Sequence, residues 1–334
     1  MPTPYDAVLV LAFGGPEGPD DVRPFLENVL RGRRVPPERI EEVAEHYHHF
    51  GGVSPINAQN RALIAALEVA LAAHGITLPI YFGNRNWHPF LADTARQMHE
   101  AGIRRGLVFV TSAFSSYSGC RQYREDLQGA CAGMGADSPV FDKLRVFYNH
   151  PGFVHACVAR LTDALARLRG DVRDRAVIIF TAHSIPLAMA RHAAYTAQLA
   201  ETAALVAEAV GVAGYRIAYQ SRSGPPHVPW LEPDVRDVMT EVVAAGAPAL
   251  VVHPIGFLSD HMEVLFDLDI EAQQHAEQLG VPFVRAGTVG THPMFIEMLR
   301  LLIAERLSAR PERLALGMRG PSHDVCPATC CMAG

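Results

Sequence analysis

Ala7-Val8-Leu9-Val10-Leu11-Ala12, closed by Phe13-Gly14-Gly15-Pro16, decides the class of fold. Six consecutive apolar residues with no polar alternation read as a strand buried on both faces, and the Gly-Gly-Pro turn ends it. A strand of that kind belongs in a parallel sheet covered by helices. Working outward, similar short runs recur at Ile80–Phe82, Gly106–Thr111, Ala176–Ala182, Tyr215–Gln220 and Ala249–Pro254. Helical stretches lie between them. Asn57–His74 carries Leu63, Ile64, Leu67 and Leu71 at helical spacing, and His292–Ser308 gathers Phe295, Met298, Leu299, Leu302 and Ile303 on one face. The expected fold is therefore α/β, with two halves, 1–150 and 151–309, and a ligand cleft between them at strand carboxyl ends. The last helix is expected to return to the first half. Residues 310–334 read as an irregular tail, too poor in apolar side chains to hold its own core. No internal sequence repeat is visible.

The chain has 334 residues, 49% of them hydrophobic, and a net charge of −6. That balance offers no basic excess for a nucleic-acid partner. Lys143 is the one lysine, in FDKL, so no phosphate loop of the G-x-x-x-x-G-K type is present, and no G-x-G-x-x-G occurs either. MPTPYDAVLVLAFGGP has no basic leader and no small-residue cleavage site. No apolar run reaches the ~18 residues of a membrane span. The expected location is the cytoplasm, where the six cysteines stay reduced. Cys120, Cys131 and Cys157 are scattered, whereas Cys326, Cys330 and Cys331 crowd the last nine residues. That density points to a metal centre.

Two segments carry chemistry. Thr181-Ala182-His183-Ser184-Ile185-Pro186 puts His183 at the end of a buried strand, where an imidazole can bind metal or take a proton. His253–Glu271 (HPIGFLSDHMEVLFDLDIE) leaves a strand and enters a helix that Ser259 or Asp260 can cap. On an α-helix Glu263, Asp267 and Glu271 fall on one face. Interleaved Leu265, Phe266, Leu268 and Ile270 suggest that this helix is buried. Close carboxylates in such a place must share protons or hold a cation. One imidazole facing one carboxylate is too few ligands for a closed structural metal site, but suits transient handling of metal and protons.

The sequence resembles the ferrochelatases over nearly its whole length. The residues that carry the resemblance are Leu11–Pro16 (LAFGGP), Gly51–Asn57 (GGVSPIN), Thr181–Pro186 (TAHSIP), Tyr219–Pro233 (YQSRSGPPHVPWLEP) and His253–Glu271. The resemblance implies a chelatase-type fold of two Rossmann-like halves, a porphyrin in the cleft, and insertion of Fe2+ as substrate metal. It implies that His183 and Glu263 are the catalytic, metal-handling pair and that Asp267 and Glu271 form an acidic ladder. Ser54 and Tyr123 match positions that contact porphyrin propionates, with Tyr117 a nearby competitor. Phe13, Trp230, Phe257 and Leu258 are candidates for an apolar bed under the ring. Some coproporphyrin-type relatives carry tyrosine in place of Phe13, so a hydroxyl contact to iron is missing here.

The tail matches ferrochelatases that hold a 2Fe–2S cluster, with Cys157, Cys326, Cys330 and Cys331 supplying four thiolates. Cys120 and Cys131 stand in reserve for the fourth position, and C-x-x-x-C-C is tighter than the family's usual spacing. GCRQYRED and the cysteine tail resemble the actinobacterial branch, which implies coproporphyrin III as substrate and its iron complex as product. Arg31, Arg33, Arg34 and Arg121 are possible donors for its four propionates. The alternatives are a protoporphyrin IX ferrochelatase and a non-catalytic porphyrin- or haem-binding redox sensor. The sequence leaves the oligomeric state open.

Overall fold

The computed structural model describes residues 5–32, 35–212 and 214–334. Arg33 and Arg34, two of the candidate propionate donors, lie outside the described residues. The chain divides into two compact units. The first comprises residues 1–111, 121–145 and 299–312, and the second 112–120, 146–298 and 313–334.

The first unit is built on a four-stranded parallel sheet. Its strands are β1 (Ala7–Ala12), β2 (Ile80–Asn84), β3 (Arg105–Val110) and β4 (Val140–Lys143), in the order β2-β1-β3-β4. All six residues of β1 are buried, as the unbroken apolar run requires. Leu9, Leu11, Val108 and Val110 meet Leu91, Met98 and Leu127 of flanking helices in one core. The segment contributed by 299–312 is fixed in this unit by a buried ion pair, in which Arg145 donates to Glu305 at 2.7 and 2.9 Å.

The second unit repeats the plan with β5 (Val177–His183), β6 (Tyr215–Gln220), β7 (Leu250–His253) and β8 (Phe283–Arg285), in the order β6-β5-β7-β8. The two sheets thus share one topology although no sequence repeat announces it. Ile179, Ala218, Leu250 and Val252 pack on Val238, Met239 and Leu268. In this order β5 lies between β6 and β7, and the chain leaves it first to one side and then to the other. That reversal makes the carboxyl ends of β5 and β7 the natural place for a ligand. Among the described residues no helix is long and apolar enough to cross a membrane.

Candidate active site

His183 is the last residue of β5, and its register partner on β6 is Gln220. Beyond Ser184 the chain leaves β6 and pairs with the Pro229–Leu231 segment instead, and Pro186 has no amide to donate, so the strand ends there and leaves the imidazole at the sheet's rim. The ring is fixed on two sides. Its Nδ1 meets the carbonyl of Ser184, and Nε2 stands 3.5 Å from Glu263 Oε1. Tyr195 donates from its hydroxyl to the His183 carbonyl at 2.9 Å. The Trp230 ring lies 6.5 Å from the imidazole, centroid to centroid.

Glu263 arrives from the other side of the reversal. After β7 the chain runs through Pro254–Asp260 and enters a helical turn, Met262–Val264. The cap is His261, whose Nδ1 accepts from the Glu263 amide at 3.2 Å. Neither Ser259 nor Asp260 caps this turn; Asp260 is occupied by Arg285 at 2.7 Å. From Leu265 to Ala272 the helix is π-type, not α. Four residues then fall slightly short of a turn instead of slightly over it, so Glu263, Asp267 and Glu271 still share a face. This helix is also less buried than its apolar composition suggests. The Glu263 side chain is 47% exposed, and Asp267 and Glu271 are half-buried.

The electrostatics are graded along that face. Burial alone would lower the pKa of His183, but the charge and hydrogen bond of Glu263, helped by the Ser184 carbonyl, push it up to about 9. Burial would raise Glu263, yet His183 pulls it down to about 2. The resting pair is therefore imidazolium and carboxylate. Asp267 goes the other way: burial and the charges of Glu263 and Glu271 push it up to about 7, against a hydrogen bond from Ser221. Glu271 is met by Arg236 at 3.6 Å. Burial lowers the pKa of His261, with the charge of Glu263 opposing the shift and that of His183 adding to it.

Two residues that the sequence reading passed over hold this arrangement. Gln220, 2% exposed, donates from Nε2 to the Glu263 carbonyl at 2.9 Å and reaches the Asp267 carboxylate at 3.4 Å. His261 is the cap just described. Gln220 could have been found from its place at the end of a strand beside the one that bears His183.

Within the first unit, Phe13 is 38% exposed and its ring lies edge-on to Phe25 at 6.3 Å. Ser54 is buried; its amide donates to Pro16 O at 2.8 Å, and a Cβ on Gly15 would come within 2.7 Å of its own Cβ. The GGVSP and LAFGGP motifs therefore lock together, and Gly15 is needed for the close approach. Tyr123 is 6% exposed and packs in the core, with Arg85 over its ring at 5.8 Å. Arg31 is exposed, and Arg121 is paired with Glu125 at 2.9 Å. In the second unit Phe257 and Leu258 are both buried, each 7% exposed, and Phe257 belongs to the core.

The tail is docked by polar contacts before its cysteines are reached. Asn149 Nδ2 donates to Leu316 O at 3.1 Å and to Gly320 O at 2.9 Å. Glu201 accepts from the Met318 amide at 3.1 Å and pairs with Arg319 at 3.2 Å. Beyond these anchors Cys326 and Cys330 converge with His323, their ligand atoms all within 4.8 Å of one another. Cys331 Sγ lies 3.5 Å from Cys330 Sγ, and its thiol is hydrogen-bonded with that of Cys120. Cys157 lies outside the His323–Cys326–Cys330 group. It is 1% exposed on the helix Pro151–Ala166, and burial pushes its thiol up. Among the described residues no cysteine is disulfide-bonded.

The profile of the Ferrochelatase family matches residues 5–307. This chain belongs to the ferrochelatase family. A ferrochelatase of Rhodopirellula baltica is 56% identical over 330 residues, covering 98% of this chain and 94% of the relative. A coproporphyrin III ferrochelatase of Streptomyces coelicolor is 54% identical, covering 99% and 94%. Among solved structures, SirB from Bacillus subtilis with Fe3+ superposes with a TM-score of 0.57 at 14% identity, over 90% of this chain and 95% of that one. CbiX of siroheme biosynthesis gives 0.50 at 15% identity, over 90% and 100%. The fold is thus the chelatase fold, shared with enzymes of low identity, while the ferrochelatase relatives match in sequence as well.

Proposed function

We propose that this ferrochelatase inserts Fe2+ into coproporphyrin III, forming the iron complex and releasing two pyrrole protons. The observation that carries the reading is the His183–Glu263 pair, 3.5 Å apart at the topological reversal of the second sheet. The pyrrole N–H is a very weak acid, so a metal ion and a nearby base must act together. His183 Nε2 and the Glu263 carboxylate are the donors that would receive the ion. Incoming Fe2+ displaces the proton that the imidazole holds at rest, because a cation and a proton compete for the same lone pair. Asp267, balanced near neutrality, accepts that charge next, and Glu271 continues the path outward. Trp230 beside His183 offers an aromatic face to a planar ring. Phe13, more exposed than Ser54 or Tyr123, is proposed to meet the porphyrin, and Ser54 and Tyr123 are proposed as propionate contacts through their hydroxyls.

Coproporphyrin III is favoured over protoporphyrin IX because relatives named for it, such as that of Streptomyces coelicolor, match nearly end to end. An enzyme rather than a binder is favoured by the same similarity and by the donor pair, which leaves coordination positions open for a second ligand. We place the protein in the cytoplasm, where its cysteines stay reduced. The tail fits a thiophilic metal centre, since the donor atoms of His323, Cys326 and Cys330 already lie within 4.8 Å of one another. We propose a 2Fe–2S cluster there, with Cys326, Cys330 and Cys331 among its ligands; when bound it supplies a structural or redox-sensing cross-link. Cys157 is the proposed fourth ligand, with Cys120 and Cys131 in reserve.

The test is anaerobic turnover with both porphyrins in competition. Loss of porphyrin fluorescence beyond one equivalent per protein marks an enzyme, and a stoichiometric stop marks a binder. His183→Ala should lose at least about 100-fold in insertion rate while still binding porphyrin. Turnover at the normal rate in a folded His183→Ala protein removes His183 from the reaction.

A further inference from the structure

We propose that Arg285, at the end of β8, is a positioning residue for metal insertion: its guanidinium grips the segment that carries Glu263 at two points and so fixes that carboxylate against His183. The inference rests on the reading of Glu263 as the metal-handling carboxylate and adds the residue that sets its place.

All three nitrogens of the Arg285 guanidinium are engaged. Nε and Nη2 meet the two carboxylate oxygens of Asp269, Nη2 at 2.9 Å. Nη1 donates to Asp260 Oδ1 at 2.7 Å and to the carbonyl of Ala286 at 3.3 Å. The Arg285 side chain is 17% exposed, and Asp260 and Asp269 are half-buried with it. A guanidinium is planar and presents its N–H groups in a fixed fork, so holding two carboxylates at once also fixes the distance between them. Glu263 lies between those two carboxylates in the chain. Asp260 is held just before the turn Met262–Val264, and Asp269 inside the π-type stretch Leu265–Ala272.

That stretch needs support from outside its own backbone, since π-type helix is rare and seldom extends past a single turn. The two outer strands of the sheet supply it. From β6, Gln220 Nε2 donates to the Glu263 carbonyl at 2.9 Å, and Ser221, the residue after that strand, donates from its hydroxyl to Asp267. From β8 comes Arg285. Two residues along a π-type helix turn a side chain to roughly the opposite side, so Asp269 is gripped on the face away from Asp267. Glu263 is itself 47% exposed, so its own packing holds it weakly and its place follows from the segment that bears it. Arg285 is matched to two carboxylates that lie off the catalytic face, which leaves Glu263 to His183.

The experiment measures steady-state insertion of Fe2+ into coproporphyrin III, without oxygen, in the full-length protein, with the fold checked by circular dichroism. Arg285→Met should lower kcat at least about tenfold while the KM for porphyrin stays within about twofold. Arg285→Lys should fold and remain slow, because an ammonium is a point charge that cannot hold both carboxylates in one geometry. Asp269→Ala removes one grip and nothing from the metal-handling pair, and its kcat should fall in the same direction. These two variants carry the test if Arg285→Met does not fold. A double-substitution cycle separates positioning from general stability. In a Glu263→Gln background, Arg285→Lys should slow the reaction by less than about threefold, because the carboxylate it positions is already gone. An equal loss in both backgrounds, a raised porphyrin KM with unchanged kcat, or normal turnover in folded Arg285→Lys or Asp269→Ala overturns the proposal. Normal turnover in Glu263→Gln is a separate failure: it removes Glu263 from the reaction, and with it the route through which Arg285 would act.

Discussion

Gln220 Nε2 donates to the main-chain carbonyl of Glu263 at 2.9 Å, tying the end of β6 to the first turn of the acidic helix. The same nitrogen reaches Asp267 at 3.4 Å. An amide that holds a ligand-bearing turn without touching the metal acts by positioning. Gln220→Ala should therefore lower kcat by about 10–100-fold while the KM for porphyrin changes little. A rise in KM with unchanged kcat would instead make Gln220 a porphyrin contact.

The His183–Glu263 pair makes a second prediction, in pH. His183 is pushed up to about 9 chiefly by Glu263, against its burial. Titration of the ring by nuclear magnetic resonance, in metal-free protein, should place its midpoint near 9, and Glu263→Gln should bring it well below that. The sign for stability follows. The raised imidazole contributes fully below its ordinary 6.5, and that contribution is lost as pH rises through about 9. The lowered carboxylate contributes above its ordinary 4.5 and is lost as pH falls through about 2. Both are intact between about 4.5 and 6.5. Stability that still increases from pH 7 to 9 in the normal protein but not in Glu263→Gln contradicts this.

Much of this site is written locally, and the rest depends on distant residues. Six of the strands announce themselves by apolar runs, but β4 and β8 do not: one ends in Asp142-Lys143 and the other is Phe283–Arg285 alone. Both are edge strands, where pairing on one side relaxes the demand for apolar residues. His183 and Glu263 are legible because each follows a strand. Their meeting depends on the order β6-β5-β7-β8, which the sequence does not spell out. Asp260 looks like a cap only until Arg285, distant in sequence, takes it as a partner. His323 escapes notice because a lone histidine in a polar tail has no pattern of its own; only the folded tail brings it to Cys326 and Cys330.

Asp267 is pushed up to about 7 by burial first and by the neighbouring carboxylates second. A group half-protonated at neutral pH can both accept and pass a proton. Asp267→Asn should slow insertion by about 10–100-fold and remove a limb near pH 7 from the rate profile. Should Glu263→Gln lose only a few-fold while Asp267→Asn loses more, Asp267 and not Glu263 is the principal carboxylate.

Substrate choice separates the two porphyrins by charge. Coproporphyrin III carries four propionates and protoporphyrin IX two, so added salt should weaken the former more. The specificity constant for coproporphyrin III should be the higher of the two at low ionic strength. A clear preference for protoporphyrin IX would reject coproporphyrin III as the substrate and leave iron insertion standing.

The last prediction concerns what holds residues 299–312 in the first unit. Arg145 and Glu305 face each other with side chains 1% and 6% exposed, joined at 2.7 and 2.9 Å in a two-pronged pair. Such a pair contributes little over an apolar substitute, because both charges lose their water. Removing one partner is different, since it strands the other charge in the interior. Glu305→Ala should cost about 3–5 kcal/mol, read as a lowered midpoint in urea unfolding. Replacing both, as Arg145→Met with Glu305→Leu, should recover most of that loss, because no buried charge is left. If the double substitution is as unstable as Glu305→Ala alone, the damage lies in packing and not in the stranded guanidinium. The same variants should leave the His183 titration unchanged, because Arg145 and Glu305 belong to the first unit and His183 to the second.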